Sequence, residues 1–198
     1  MAEKLGVMRC FKMPAVTSIR GRSSTIRAAF VSAVIPTQMP SPDEVRKVLR
    51  IFGMSPENLR CAYCGVEATE WDHLNPLVRG KKATGYPSSI RNLVPSCGKC
   101  NQSKGSKPWR EWMVSSAKLS PKTRGVDDLN ERINRLARFE QWAACKPISI
   151  EKLLPRDKLT TYWGALESIL VEMDKAEKLA IELRGLLQKR LSGKPEKM

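Results

Sequence analysis

The chain has 198 residues but a single histidine, His73, so any imidazole chemistry falls to one position. It has no apolar run approaching the ~18 residues that a membrane helix needs, which excludes a spanning helix. It has no internal repeat, which sets aside solenoids and arrays. Acidic residues are few, with 20 Asp and Glu against 35 Lys and Arg, giving a net charge of +15. The imbalance is local. Residues 61–125 carry eleven basic and four acidic side chains, and residues 1–40 carry six and one. Residues 126–198 are close to even, with fourteen and twelve. A positive excess gathered in particular segments is what binding to a phosphate backbone requires. A secretion signal is also missing: the apolar residues 28–35 lie too far from the start and form too short a run. A cytoplasmic, reducing setting is therefore expected.

Cysteine, in contrast, is well represented and its placement is regular. Cys61 and Cys64 form one Cys-x-x-Cys pair, Cys97 and Cys100 a second, with 32 residues between the pairs. Cys10 and Cys145 stand alone. Close pairs of this kind read as metal ligands rather than disulfide partners. Two intervening residues let both thiolates face one ion, and Gly65 permits the tight turn behind the second sulfur. One structural zinc ion is expected, in a closed four-sulfur site with no open position for water. A small unit of two strands cannot bury enough surface to hold itself, and the zinc substitutes for the missing core.

Around this centre the chain divides into four segments. Residues 1–40 form a basic N-terminal segment, read either as a disordered tail or as an arm that orders along a nucleic acid. Within it, residues 28–35 suit a strand or a helix equally, because periodicity cannot separate the two at this length. Residues 41–60 form a short helical lead-in. Ser41 is a good N-cap, Pro42 suits the first helical position, and Glu44 completes a capping box. Val45, Val48, Leu49 and Phe52 share one face, and Gly53 stops the helix. In residues 61–118, short strands are expected at 69–73 and 92–95, with a loop over 75–90. A helix is expected to open at Cys97 and end at Gly105, and another to run from about 106 to 117. Trp109 and Trp112 on that second helix are read as packing residues.

Residues 126–191 are expected to be helical. A first helix leaves Arg132, Arg135 and Arg138 exposed. The last carries a seam of Leu159, Tyr162, Leu166, Ile169, Met173, Ala176, Ala180, Leu183 and Leu187. Spacings that alternate three and four are the heptad pattern of a coiled coil. The seam either folds back on its own chain or pairs with a second subunit. The tail after Ser192 is expected to be disordered.

Asp72-His73 ends the first expected strand inside the most basic segment. Adjacent strand residues point to opposite sides, so the pair can share one task only if the chain bends beyond it, as at Leu74-Asn75-Pro76. The run Trp71-Asp72-His73-Leu74-x-Pro76-Leu77, then Asn92-Leu93-Val94-Pro95, then Cys97-x-x-Cys100-Asn101-x-x-Lys104-Gly105, resembles an HNH endonuclease of the zinc-stapled ββα-metal type. The resemblance covers residues 61–107, with Asn101 where the third signature position is otherwise histidine.

The resemblance implies an α+β fold: a small zinc-bound ββα-metal core with an N-terminal arm and a C-terminal helical region. It implies that His73 is the general base and that Asp72 and Asn101 hold one divalent cation, Mg²⁺ for preference. Asn92 would bond across the loop and keep His73 in register. Lys99, Lys104 and Lys107 are candidate phosphate contacts, as are Arg79, Lys81 and Lys82 on the loop. The implied activity is DNA cleavage to 5′-phosphate and 3′-hydroxyl ends, of a restriction or phage type that cuts both strands as a homodimer. The rivals are a nicking or homing-type nuclease and a zinc-ribbon protein that binds nucleic acid without cutting it.

Overall fold

A computed structural model describes residues 11–192. The expectations for residues 1–10, Cys10 included, and for the tail beyond Ser192 lie outside the described residues. The chain divides into two units, one spanning Arg27–Thr160 and one made of Met1–Ile26 with Thr161–Met198.

The first unit begins within α1 (Ser23–Val34), which resolves the ambiguity over residues 28–35 in favour of helix. A short strand β1 (Thr37–Gln38) leads into α2 (Pro42–Phe52). The Ser41 side chain accepts from the Glu44 backbone N–H at 3.2 Å, and Glu44 accepts from the Ser41 N–H at 3.1 Å. Gly53 closes α2 in the left-handed region at φ 66°, a conformation that glycine adopts without a Cβ penalty. Both ends of α2 are thus specified by residues at the ends themselves.

The centre of this unit is an antiparallel pair, β2 (Glu70–His73) with β6 (Leu93–Ser96). Its register sets Glu70 against Ser96, Trp71 against Pro95, Asp72 against Val94 and His73 against Leu93. Two strands leave every residue on an edge, so Pro95 costs no ladder bond that a central strand would need. α3 (Gly98–Lys104) follows β6 directly, giving the strand–strand–helix order. α4 (Trp109–Met113) comes next and is shorter than the expected 106–117 helix, because Pro108 delays its start.

The segment between β2 and β6 is more ordered than the loop expected there. β3 (Val78–Arg79) and β4 (Lys82–Ala83) form a hairpin around Gly80 and Lys81, at φ 56° and 66°. Positive φ at both central residues matches the twist of a tight hairpin, and Lys81 accepts it at the cost of some strain. Farther on, β5 (Ser88–Ser89) pairs in parallel with β1.

One core joins these pieces. Val48 and Phe52 of α2, Tyr63, Leu74, Val94, Trp112 and Met113 are buried together with Leu136 and Phe139 of α5 (Leu129–Ala143). The Phe52 and Phe139 rings lie 5.4 Å apart, and Tyr63 meets Trp112 edge-on at 5.2 Å. α2 and α5, which flank the cysteine segment in sequence, pack into its core. The unit ends with α6 (Ile150–Leu153) and the first turn of α7 (Arg156–Leu191).

In the other unit α7 continues to Leu191, and residues 18–20 bind to it. Arg20 pairs with Asp174 at 3.2 Å, and the Arg20 backbone N–H and Ser18 hydroxyl donate to Glu177. Leu166 is buried, while Ile169, Leu183 and Leu187 of the seam are exposed, as are Leu179 and Leu186 beside it. No helix among the described residues is long and apolar enough to cross a membrane.

Candidate nuclease site

The four cysteine sulfurs of the two Cys-x-x-Cys pairs lie within 4.8 Å of one another. Cys64 and Cys97 are 3.8 Å apart across the cluster. Thiolate–zinc bonds of about 2.3 Å in a tetrahedron give an edge of about 3.8 Å, so the donor set fits one such ion. Gly65 turns the chain here at φ 80°, and a Cβ in its place would run into the Arg132 guanidinium. Arg132 is therefore not the exposed residue expected of it. It is largely buried, paired with Asp128 at 2.7 Å and donating to the Cys61 carbonyl at 3.2 Å. Arg124 donates to the Cys100 sulfur at 3.3 Å, placing a cation against a cluster whose cysteines would hold a metal as thiolates.

Beside this staple, β2 brings Asp72 and His73 into two different surroundings. Asp72 is 5% exposed. Its Oδ2 accepts from the Tyr63 hydroxyl at 2.6 Å and faces the Lys104 ammonium at 3.0 Å; its Oδ1 is 3.3 Å from that ammonium. Burial pushes the Asp72 carboxyl above its ordinary value, and the Lys104 and Tyr63 contacts pull it back down. Burial likewise pushes the Lys104 ammonium down, opposed by the Asp72 charge.

His73 is half-buried, and its Nε2 lies 2.9 Å from the Ser88 hydroxyl. Burial holds its pKa below the ordinary 6.5; the Asp72 charge works against that shift and the Lys104 charge adds to it. This shift favours the neutral imidazole; the Ser88 hydroxyl can donate to Nε2 or accept from Nε2–H, and in the second tautomer Nδ1 is the free acceptor.

Asn92 is fully buried just before β6. Its Nδ2 donates to the carbonyls of Asn75 and Pro87 at 3.0 and 3.1 Å, and its Oδ1 accepts from the Asn75 N–H at 2.9 Å. Its own carbonyl accepts from Leu74 at 2.8 Å. One side chain therefore ties the chain leaving His73 to the chain entering Ser88.

Asn101 is half-buried on α3, three residues before Lys104 and so on the same face of the helix. Carboxylate and amide oxygens are hard donors of the kind a divalent cation such as Mg²⁺ takes.

The six candidate phosphate contacts separate. Lys99, Lys107, Arg79, Lys81 and Lys82 are exposed, the last three at the β3–β4 hairpin. Lys104, expected to contact phosphate, instead lies away from the surface. It is fully buried and, besides Asp72, donates to the carbonyls of His73 at 2.8 Å and Gly105 at 3.3 Å. Sequence reasoning passed over Tyr63 and Ser88. A tyrosine inside a metal knuckle is one signal, since a buried phenol needs a hydrogen-bond partner. Ser88 carries no such mark.

Residues 61–107 match the family model of the HNH endonuclease. A 65-residue stretch is 40% identical to the CRISPR-associated endonuclease Cas9 of Corynebacterium diphtheriae, covering 31% of this chain. The matched stretch is 6% of that protein. No solved structure matches the chain.

Proposed function

From an α+β chain whose residues 61–107 are an HNH endonuclease domain, we propose a metal-dependent DNA endonuclease that hydrolyses phosphodiesters. The observation that carries this reading is a half-buried His73 beside a buried carboxylate on one strand, with Asn101 on the helix whose Lys104 reaches both residues. His73 accepts the proton of the attacking water at Nδ1 in the tautomer whose Nε2–H donates to the Ser88 hydroxyl, which holds the ring from its far side. Asn92 keeps the imidazole in place, since a small displacement of a base costs rate steeply. Asp72 and Asn101 hold the cation, which when bound stabilises charge on the phosphoryl and leaving oxygens. The exposed Lys99, Lys107, Arg79, Lys81 and Lys82 hold the DNA backbone. The products are 5′-phosphate and 3′-hydroxyl ends. The four-cysteine cluster holds zinc and keeps the strand pair joined to α3.

Cutting both strands, in the restriction or phage manner, calls for two copies. The exposed apolar stripe of Ile169, Leu183 and Leu187 on α7 supports pairing between them.

The test is plasmid cleavage with Mg²⁺, following supercoiled, nicked and linear forms. His73→Ala is expected to lower the rate by about 10²–10⁴-fold without changing zinc content. Nicked circles alone would replace double-strand cutting with the nicking reading. A wild-type chain that shifts DNA on a gel yet cuts no better than the variant would leave the zinc-ribbon binding reading. Lys104 favours that rival to one extent: it already balances the charge of Asp72.

A further inference from the structure

Two buried groups are given no task by the reaction above, the Tyr63 hydroxyl and the Lys104 ammonium. Both converge on Asp72. Neither is placed by burial of apolar surface alone, because a phenol and an ammonium lose water on entering a core and must recover those bonds there. Among the described residues no buried side-chain polar atom lacks a partner, so the arrangement is fully satisfied. It is also lopsided. Oδ2 of Asp72 takes both close contacts, 2.6 Å from Tyr63 and 3.0 Å from Lys104, whereas Oδ1 takes one at 3.3 Å.

We propose that Tyr63 and Lys104 are positioning residues for Asp72, holding Oδ2 from two sides so that Oδ1 is the oxygen given to the divalent cation. This rests on the reading of Asp72 as a metal ligand. Tyr63 stands between Cys61 and Cys64, so the same two-residue spacer that sets the sulfurs also sets the carboxylate. Lys104 leaves α3 three residues after Asn101 and grips the His73 carbonyl, which ties both cation-holding elements together. The four-cysteine cluster and the hydrolytic site are therefore one mechanical unit. Partners of this kind around a metal ligand are worth about 10–100-fold in metal affinity.

The test uses the full chain and Mn²⁺ as the probe, with binding read by electron paramagnetic resonance and zinc by elemental analysis. Tyr63→Phe keeps the ring against Trp112 and removes only the hydroxyl. It is expected to weaken Mn²⁺ binding about tenfold at unchanged zinc content. Its cleavage rate should return toward that of the unaltered chain at saturating Mn²⁺, a change in metal requirement rather than in maximal rate. Lys104→Met should weaken Mn²⁺ binding as well. Mn²⁺ affinity unchanged within twofold in Tyr63→Phe would overturn the proposal, and tighter binding in Lys104→Met would overturn the part given to Lys104. Asp72→Asn separates the two levels of argument. If it binds Mn²⁺ as well as the unaltered chain, the metal-ligand reading fails. If it loses Mn²⁺ while Tyr63→Phe does not, only the positioning fails.

Discussion

His73 combines two properties that oppose each other in water, a nearby carboxylate and a lowered pKa. A bare Asp72 beside it would raise the imidazole into the protonated range. Burial and the Lys104 ammonium prevent that by disfavouring the charged ring. The folded protein thus binds this proton less well than the unfolded chain does. Its contribution to stability is complete above the ordinary value of 6.5 and is lost as pH falls through the lowered one. For His73 as the proposed base the same sign holds: the acid limb of the cleavage-rate profile should have its midpoint below pH 6.5. A midpoint above that value, measured at saturating metal, would mean that Asp72 dominates the ring. Asn92 acts differently, through three bonds to backbone, and its place before β6 was readable from its position in the motif. Which carbonyls it would reach was not, because they belong to a loop whose path depends on the hairpin within it.

At the scale of elements, the helices specified at their own ends were the legible ones. α2 starts and stops on Ser41, Glu44 and Gly53, residues whose effect is complete within one turn. The strand pair was legible because the two cysteine pairs bracket it. Less legible was the use of α5. Its Leu136 and Phe139 form an ordinary apolar face, and nothing in them says that the face covers α2 and the cysteine segment. This packing makes a direct prediction. Phe139→Ala should cost about 3–5 kcal/mol of stability, measured by denaturant unfolding, although the residue lies 32 positions beyond the HNH match that ends at residue 107. A loss under 1 kcal/mol would show that the HNH segment folds without α5.

At the scale of the molecule, two dependences follow. If the four-cysteine cluster holds the proposed zinc, removing that ion should unfold the strand pair it joins to α3. Chelation is expected to abolish slow amide exchange at β2 and β6 and to end cleavage. Protection that survives chelation would show that packing against α2 and α5 suffices. The second dependence concerns α7. On the proposed pairing through this stripe, Leu183→Glu with Leu187→Glu should convert a dimer to a monomer in sedimentation, and linear plasmid products to nicked circles. An unaltered chain that sediments as a monomer at working concentration would exclude pairing through this stripe.

The sequence by itself determined what depends on short spacings: the two cysteine pairs, the Asp72-His73 dipeptide at a strand end, the caps of α2 and the excess of positive charge. Such features act over a few residues, and their geometry follows from bond lengths and backbone preferences wherever they occur. Tertiary structure alone decided that Lys104 is an internal cation rather than a surface one, that Tyr63 answers to Asp72, and that Ser88 meets His73. These contacts span 32, 9 and 15 positions along the chain. A lysine is charged in every context, and only packing determines whether its charge faces water or another residue.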